Sequence, residues 1–281
     1  MTSFAQTSPF TASGTAILPP LTKMSIGQNL TSPSGRFKLE LQSDSNLAIY
    51  DNGTAVWVAT SGQPYTSYST AVEKGSTFLI TQYYAFLNDP TRNRTWGTSN
   101  STPLGGNVSA AYYRTYMVLQ DDGNLVITDT VPLWSSNNSS TAFSLSKSNL
   151  RIEPGTFLEP GKLYESGANR LVFQGDGNLV VYGPNSQVLW ASYTHNKGAD
   201  QAVMQGDGNF VIYAKGKPIW YTNTDGNPGA YAQVKEDGSF CIVIDRPVWA
   251  RFGFTPDIKP KRVLVEYGPY KLPSWSFDIW R

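Results

Sequence analysis

FQGDGNLVVYGPNSQVLWAS (residues 173–192) and MQGDGNFVIYAKGKPIWYTN (residues 204–223) are two copies of one unit. Gln174 and Gln205 lie 31 positions apart, and each copy closes on a tryptophan, Trp190 and Trp220. Working outward, LQSDSNLAIYDNGTAVWVA from Leu41 and LQDDGNLVITDTVPLWSS from Leu119 repeat the pattern, with Trp57 and Trp134. VKEDGSFCIVIDRPVWAR from Val234 keeps the Asp-Gly step and Trp249 but has lost most polar positions. FLITQYYAFLNDPTRNRTWGTSN from Phe78 keeps little beyond length and Trp96. Six of the eight tryptophans therefore mark six repeats, at gaps of 39, 38, 56, 30 and 29 residues. The long central gap divides them three and three. It predicts two domains, residues 1–147 and 148–250, with the boundary near Leu145 to Asn149 and an extension over 251–281.

Each repeat reads as β. Short runs of β-branched and aromatic residues flank Asp-Gly, a strong hairpin signal. A second turn, GPNSQ or AKGK, precedes the strand that carries Trp. Three or four strands per repeat give an all-β chain. One repeat cannot bury its own apolar face, but three repeats pointing their Trp residues at a common axis can. Burying one Trp removes roughly 150–250 Å² from water, worth several kcal/mol at about 25 cal/mol per Å².

Composition narrows the function classes. Lys and Arg number 22 against 21 Asp and Glu, so no global field exists to hold nucleic acid or an anionic membrane. One His and one Cys exclude a multi-histidine or cysteine metal centre and an intrachain disulfide. No cofactor is expected. No basic start followed by an apolar run opens the chain, and no run approaches the roughly 20 apolar residues of a membrane span. The expectation is a soluble monomer, made in a reducing cytoplasm without a signal peptide, whose action outside the cell would need another exit.

The polar residues carry the information. Gln174, Asp176, Asn178, Val180 and Tyr182 recur as Gln205, Asp207, Asn209, Val211 and Tyr213. Residues at i, i+2 and i+4 of a strand share a face, so Asn, Val and Tyr line up while the turn folds Gln and Asp beside them. Asp-Gly-Asn alone would be explained by turn chemistry. The full set is not needed for folding, because the third repeat has Thr128 for Tyr and the sixth has Lys235, Ser239, Cys241 and Val243. Two amides, a carboxylate, a phenol and a small apolar patch offer fixed donors and acceptors and nothing nucleophilic. A pyranose has the same mixed character.

The pattern Gln-x-Asp-x-Asn-x-Val-x-Tyr resembles the signature of the monocot mannose-binding lectins, and the six repeats cover nearly all of residues 28–249. The resemblance implies two tandem β-prism II domains, each built of three four-stranded subdomains. It also implies that the residues just named contact sugar, Val180 and Val211 against the ring carbons and the others through hydrogen bonds. Gln42, Asp44, Asn46 and Tyr50 form a weaker third candidate, because Ala48 replaces Val; Gln120, Asp122, Asn124 and Val126 lack the phenol. The tandem order, the ending PVWARFGF (residues 247–254) and the Trp-rich tail resemble the lectin-like bacteriocins of Pseudomonas, the LlpA group. That likeness implies D-mannose or D-rhamnose in lipopolysaccharide as ligand, and killing of related strains through the outer-membrane insertase BamA. A non-toxic lectin for adhesion or defence is the alternative.

An enzyme is the rival of another class. Glycosidases use paired carboxylates roughly 5–9.5 Å apart, whereas each intact repeat supplies one motif Asp. His195, in YTHNKGAD, has no Ser or Cys nucleophile signature beside it and reads as a solvated loop residue. Net hydrogen bonds are worth roughly 0.5–1.5 kcal/mol, so a shallow site of this kind should bind a monosaccharide at about −4 kcal/mol, near millimolar. Two sites on one rigid domain gain roughly 10²–10⁴ on a repetitive polymer, which points to polysaccharide. The tail, basic at Lys259 to Arg262 and then aromatic, is expected to pack as an arm.

Overall fold

The computed structural model describes residues 7–59, 66–81, 84–98, 113–136, 150–235, 237–251, 261–267 and 270–276, the last two by backbone alone. Every regular element among them is a strand, apart from short 3-10 turns such as Pro90–Arg92 and Pro184–Ser186. No described helix is long and apolar enough to cross a membrane. The expected boundary at Leu145 to Asn149 lies outside the described residues.

The chain divides into two compact units, residues 1–129 with 246–281, and residues 130–245. In the second unit the fourth repeat forms a four-stranded antiparallel sheet of Leu163–Ser166, Asn169–Phe173, Leu179–Tyr182 and Val188–Ala191. The fifth supplies Gln201–Met204, Phe210–Ala214 and Lys217–Tyr221, and the sixth pairs Tyr231–Val234 with the strand that starts at Phe240. Alternation does the rest. Leu171, Phe173, Leu179 and Val181 of one sheet meet Ala202, Met204, Phe210 and Ile212 of the next and Ala232, Val234, Phe240 and Ile242 of the third in one core. The first unit repeats the plan. Leu39, Leu41, Leu47 and Ile49 meet Phe78, Ile80, Ala85 and Leu87, and these meet Met117, Leu119, Leu125 and Ile127.

Three tryptophans close each core, as expected, but not the expected three. Trp134 packs edge-on against Trp190 and Trp220, each at 5.7 Å, while Trp249 packs at 6.3 Å from Trp96, itself 5.7 Å from Trp57. The third and sixth repeats have exchanged their last strands. The backbone records the same exchange. Ser192 and Thr222 donate N–H to Leu179 and Phe210 of their own repeats, but Ser136 donates to Phe240, and Arg251 to Leu125. Turn chemistry explains it. Repeats one, four and five place Asn52-Gly53, Pro184–Ser186 or Lys215-Gly216 before the Trp strand, with left-handed backbone at Asn52, Asn185 and Lys215. The third and sixth have DTVP and DRP there instead, with no Gly or Asn to reverse the chain. Leu125–Ser135 and Phe240–Ala250 therefore each run on as one strand of 11 residues.

The tail contains an antiparallel hairpin, Lys261–Tyr267 paired with Tyr270–Ser276. The side chains expected to pack it, Trp275 and Trp280 among them, lie outside the described residues.

Candidate functional site

A turn Asp builds the same platform in five repeats, followed by Gly in four of them and by Ser45 in the first. The Gln174 N–H donates to the Asn178 carbonyl at 2.8 Å, and the Gly177 N–H returns to the Gln174 carbonyl at 2.9 Å. Asp176 Oδ1 accepts from the Asn178 backbone N–H at 3.0 Å, an Asx turn that fixes the carboxylate. Asp207 does the same to Asn209 at 2.9 Å, as do Asp44, Asp122 and Asp237 in their repeats. The residue after the turn Asp takes a left-handed backbone, which Gly adopts at least cost and which Ser45 takes in the first repeat with φ of +72°. Gly177 and Gly208 have φ of +86° and +97°, and a Cβ on Gly208 would stand 2.4 Å from the Asn227 carbonyl oxygen.

On the fourth and fifth repeats the predicted residues come together. Gln174 Nε2 donates to the Tyr182 hydroxyl at 2.9 Å, and Gln205 Nε2 to the Tyr213 hydroxyl at 2.9 Å. Asn178 Oδ1 accepts from the Thr194 N–H and the Ser192 hydroxyl, both at 3.1 Å; Asn209 Oδ1 accepts from the Thr224 N–H at 3.3 Å and the Thr222 hydroxyl at 3.0 Å. A backbone N–H can only donate, so each Asn is held with Nδ2 as its outward donor. Asp176 Oδ2 and Asp207 Oδ2 make no hydrogen bond among the described residues, and both side chains are exposed. Val180 and Val211, each 2% exposed, floor the site between Asn and Tyr. Asn to Tyr spans about 13 Å of strand at roughly 3.3 Å per residue. The face thus presents an anionic acceptor, an amide donor, a Gln–Tyr pair able to donate and accept, and an apolar floor. That set suits neighbouring hydroxyls on a ring with a C–H edge.

Sequence reasoning missed the supports. Ser192 and Thr194, and Thr222 and Thr224, clamp the loops through bonds from Thr194 to the Gly177 carbonyl and from Thr224 to the Gly208 carbonyl, each 2.6 Å. The recurring Ser/Thr-x-Thr two residues after Trp was the available signal. Across the ladder the floor is widened by Val172, opposite Val180, and Val203, opposite Val211.

The first repeat keeps the frame and loses the acceptor. Gln42 Nε2 still donates to the Tyr50 hydroxyl at 2.6 Å. Arg92, on the Pro90–Arg92 turn of the second repeat, donates to Asp44 Oδ2 at 2.6 Å and to the Asp44 carbonyl at 2.9 Å. The Asn46 N–H, then the Arg92 guanidinium, hold the Asp44 carboxyl below its ordinary range. Arg94 takes Asn46 Oδ1 at 3.2 Å, and Glu40 stands opposite Ala48 where the intact sites have valine. In the third repeat Asn124 and Val126 are fully buried and Thr128 nearly so. In the sixth, Cys241 and Val243 are buried in a cluster with Tyr231, and burial pushes the Cys241 thiol up. Among the described residues, no group of His, Cys, Asp and Glu could hold a metal ion.

With this geometry in view, solved structures supply a comparison. The chain aligns with the whole of a two-domain lectin, the fetuin-binding agglutinin of Scilla campanulata, over 84% of its own length, with a TM-score of 0.50 and 20% identity. The fold is the β-prism of the monocot mannose-binding lectins. A monomeric monocot mannose-binding lectin from Gastrodia elata is 31% identical, covering 38% of this chain and 99% of that lectin, with a TM-score of 0.32. The mannose-specific agglutinin of snowdrop, Galanthus nivalis, solved with methyl-α-D-mannoside, is 31% identical over 33% of this chain and 87% of its own, with a TM-score of 0.30. The chain matches no protein-family model and no curated protein. In this lectin fold, the fourth and fifth repeats carry the two faces whose polar sets are complete and accessible.

Proposed function

We propose that the second unit binds mannose-type saccharides through its fourth and fifth repeats, and that the protein acts by recognition without turnover. The observation that carries this is the solvent-facing outer oxygen of Asp176 and Asp207, taken up by no described residue, each beside an amide locked with its donor outward and a Gln–Tyr pair. Nothing in core packing requires that arrangement, since the sixth repeat fills the same positions with Lys235, Ser239, Cys241 and Val243 and still folds. Titration of mannan with the parent and with Asp176→Ala, Asp207→Ala tests it. Binding lost from the folded double variant supports the site; undiminished binding refutes it.

The same reading extends to a target. The ligand would be D-mannose or D-rhamnose in the lipopolysaccharide of related bacteria, and the protein would act outside the producing cell and kill through BamA. Its support is the tandem order of the repeats, PVWARFGF and the aromatic tail. The closed sugar faces of the first unit fit a part released for protein recognition. Spotting purified protein on a panel of pseudomonads tests it. Clearing that weakens in the double variant supports a sugar-anchored bacteriocin. Polysaccharide binding with no clearing on any strain returns the protein to a plain lectin.

A further inference from the structure

The two intact faces differ in their surroundings. In the fifth repeat the ladder sets Phe157 opposite Val203, Val203 opposite Val211, and Val211 opposite Tyr221. Directly paired residues share a face of the sheet, so Phe157 and Tyr221 stand in one row with the valine floor of the site. Both rings are exposed, Phe157 by 60% and Tyr221 by 51%. Adjacent strands lie about 4.8 Å apart, which puts Tyr221 one strand from Val211 on one side and Phe157 about 10 Å away on the other. The matching row of the fourth repeat is Leu163, Val172, Val180 and Ala191, with no aromatic. The next row differs as well. Arg170 lies opposite Tyr182 with its guanidinium 5.4 Å from the ring centroid, whereas Gln201 lies opposite Tyr213.

We infer that the fifth repeat is an extended site, in which Phe157 and Tyr221 stack on sugar rings either side of the one held by Gln205, Asp207, Asn209 and Tyr213. The fourth repeat then takes a single terminal ring. Isolated exposed apolar residues are ordinary on protein surfaces. What distinguishes these two is their register: they continue, in line and at ring spacing, a face already furnished for one pyranose. An aromatic face against the C–H edge of a sugar buries apolar area on both partners and needs no further polar group. A polymer crossing the sheet at right angles to the strands would meet Tyr221, Val211, Val203 and Phe157 in turn. This inference rests on the fifth repeat being a sugar site and names the ligand that site prefers: an internal stretch of oligosaccharide.

The test uses the full chain with the fourth repeat disabled by Asp176→Ala, so that the fifth alone reports. Methyl-α-D-mannoside and an α-linked mannotriose are titrated by NMR or calorimetry. The trisaccharide should bind about tenfold more tightly, a difference of about 1.4 kcal/mol. Phe157→Ala and Tyr221→Ala should each cut that advantage to threefold or less while leaving the monosaccharide within about twofold, as expected for exposed side chains outside the core. Tyr221→Phe should retain it, and Leu163→Ala should change nothing. An equal affinity for both sugars, an advantage that survives the double aromatic replacement, or an equal loss for both sugars would overturn the inference alone. Binding that persists in Asp176→Ala, Asp207→Ala would overturn the sugar-site reading and the inference with it.

Discussion

If Arg92 is what silences the first repeat, removing it should create a site. The perturbation is Arg92→Ala in a chain whose second-unit sites are disabled by Asp176→Ala and Asp207→Ala. Arg92 now occupies Asp44 Oδ2 at 2.6 Å, the oxygen whose counterparts on Asp176 and Asp207 face solvent. Releasing it restores one charge-assisted hydrogen bond to a sugar hydroxyl, worth roughly 1.5–3 kcal/mol. The rest of the frame is in place. Gln42 still meets Tyr50, and Arg94 holds Asn46 Oδ1 as Thr194 holds that of Asn178. Ala48 lacks two methyl groups relative to Val, a deficit of about 1.5 kcal/mol at roughly 0.8 kcal/mol per group. With Glu40 also standing where the intact sites have a second valine, the new site should be at least about tenfold weaker than the fifth. The fold should survive, because a half-exposed pair such as Arg92–Asp44 contributes only about 0.2–1 kcal/mol, and Arg94 remains 2.8 Å from Asp89. Mannoside-induced shifts of the Tyr50 ring resonances are the readout, with Arg92→Lys as the variant that keeps the charge in place. Silence at Tyr50 up to sugar concentrations on the order of 0.1 M, well above the expected dissociation constant, would show that Arg92 does not close the site.

The exchanged strands predict where damage appears. Trp134→Ala should destabilise the second unit and Trp249→Ala the first, each by about 3–5 kcal/mol, read as faster hydrogen exchange in peptides of that unit. The reverse assignment would refute the exchange. Gly208→Ala should cost about 2–4 kcal/mol, since it combines a left-handed backbone with a clash against a carbonyl, while Gly206→Ala, with open space around it, should cost under about 1 kcal/mol; chemical denaturation compares them. Acid should act first on the first unit. Asp44, Asp51 and Asp121 are held below the ordinary range, by the Asn46 N–H, by Arg36 and by Ser34 respectively. A lowered carboxyl stabilises the fold above its unfolded pKa, near 4, and that contribution is lost as pH falls through the lowered value. Asp245 of the second unit is shifted the other way, upward, chiefly by burial. Exchange rates below about pH 4 should rise earlier in the first unit, and simultaneous loss in both would refute the assignment.

The repeats, the hairpins and the paired polar sets were all legible in the sequence, because each rests on local chemistry: an Asp-Gly turn, a period of two, a Trp that must be buried. The exchange that puts Trp134 in the second core and Trp249 in the first is not legible in the repeats, yet its cause is local too. DTVP and DRP lack the residues that reverse a chain, and an absent turn is harder to notice than a present one. Arg92 was out of reach. Its partner Asp44 is 48 positions away, on another repeat, and no spacing rule links a guanidinium to a carboxylate across two sheets. The burial of Asn124 and Val126 was equally invisible, since their letters match those of the accessible copies.

Among the described residues, four of the six repeats thus lack the open polar set, for unrelated reasons: a guanidinium at Asp44, divergence in the second repeat, burial at Asn124, and apolar filling at Cys241. The two that survive lie on consecutive repeats of one unit, which matters for what the protein can hold. A single face of this kind is worth about −4 kcal/mol, or millimolar. Two faces on one polymer gain roughly 10²–10⁴ in avidity, and that gain vanishes when either is removed. Asp176→Ala alone and Asp207→Ala alone should therefore each lower affinity for immobilised mannan by at least about a hundredfold, while each leaves monosaccharide binding at the other face intact. Independent sites would lose only about half the capacity apiece, with affinity unchanged. A twofold loss of capacity in both single variants would mean that the faces do not engage one polymer together, and the case for polysaccharide as the natural ligand would fall with it.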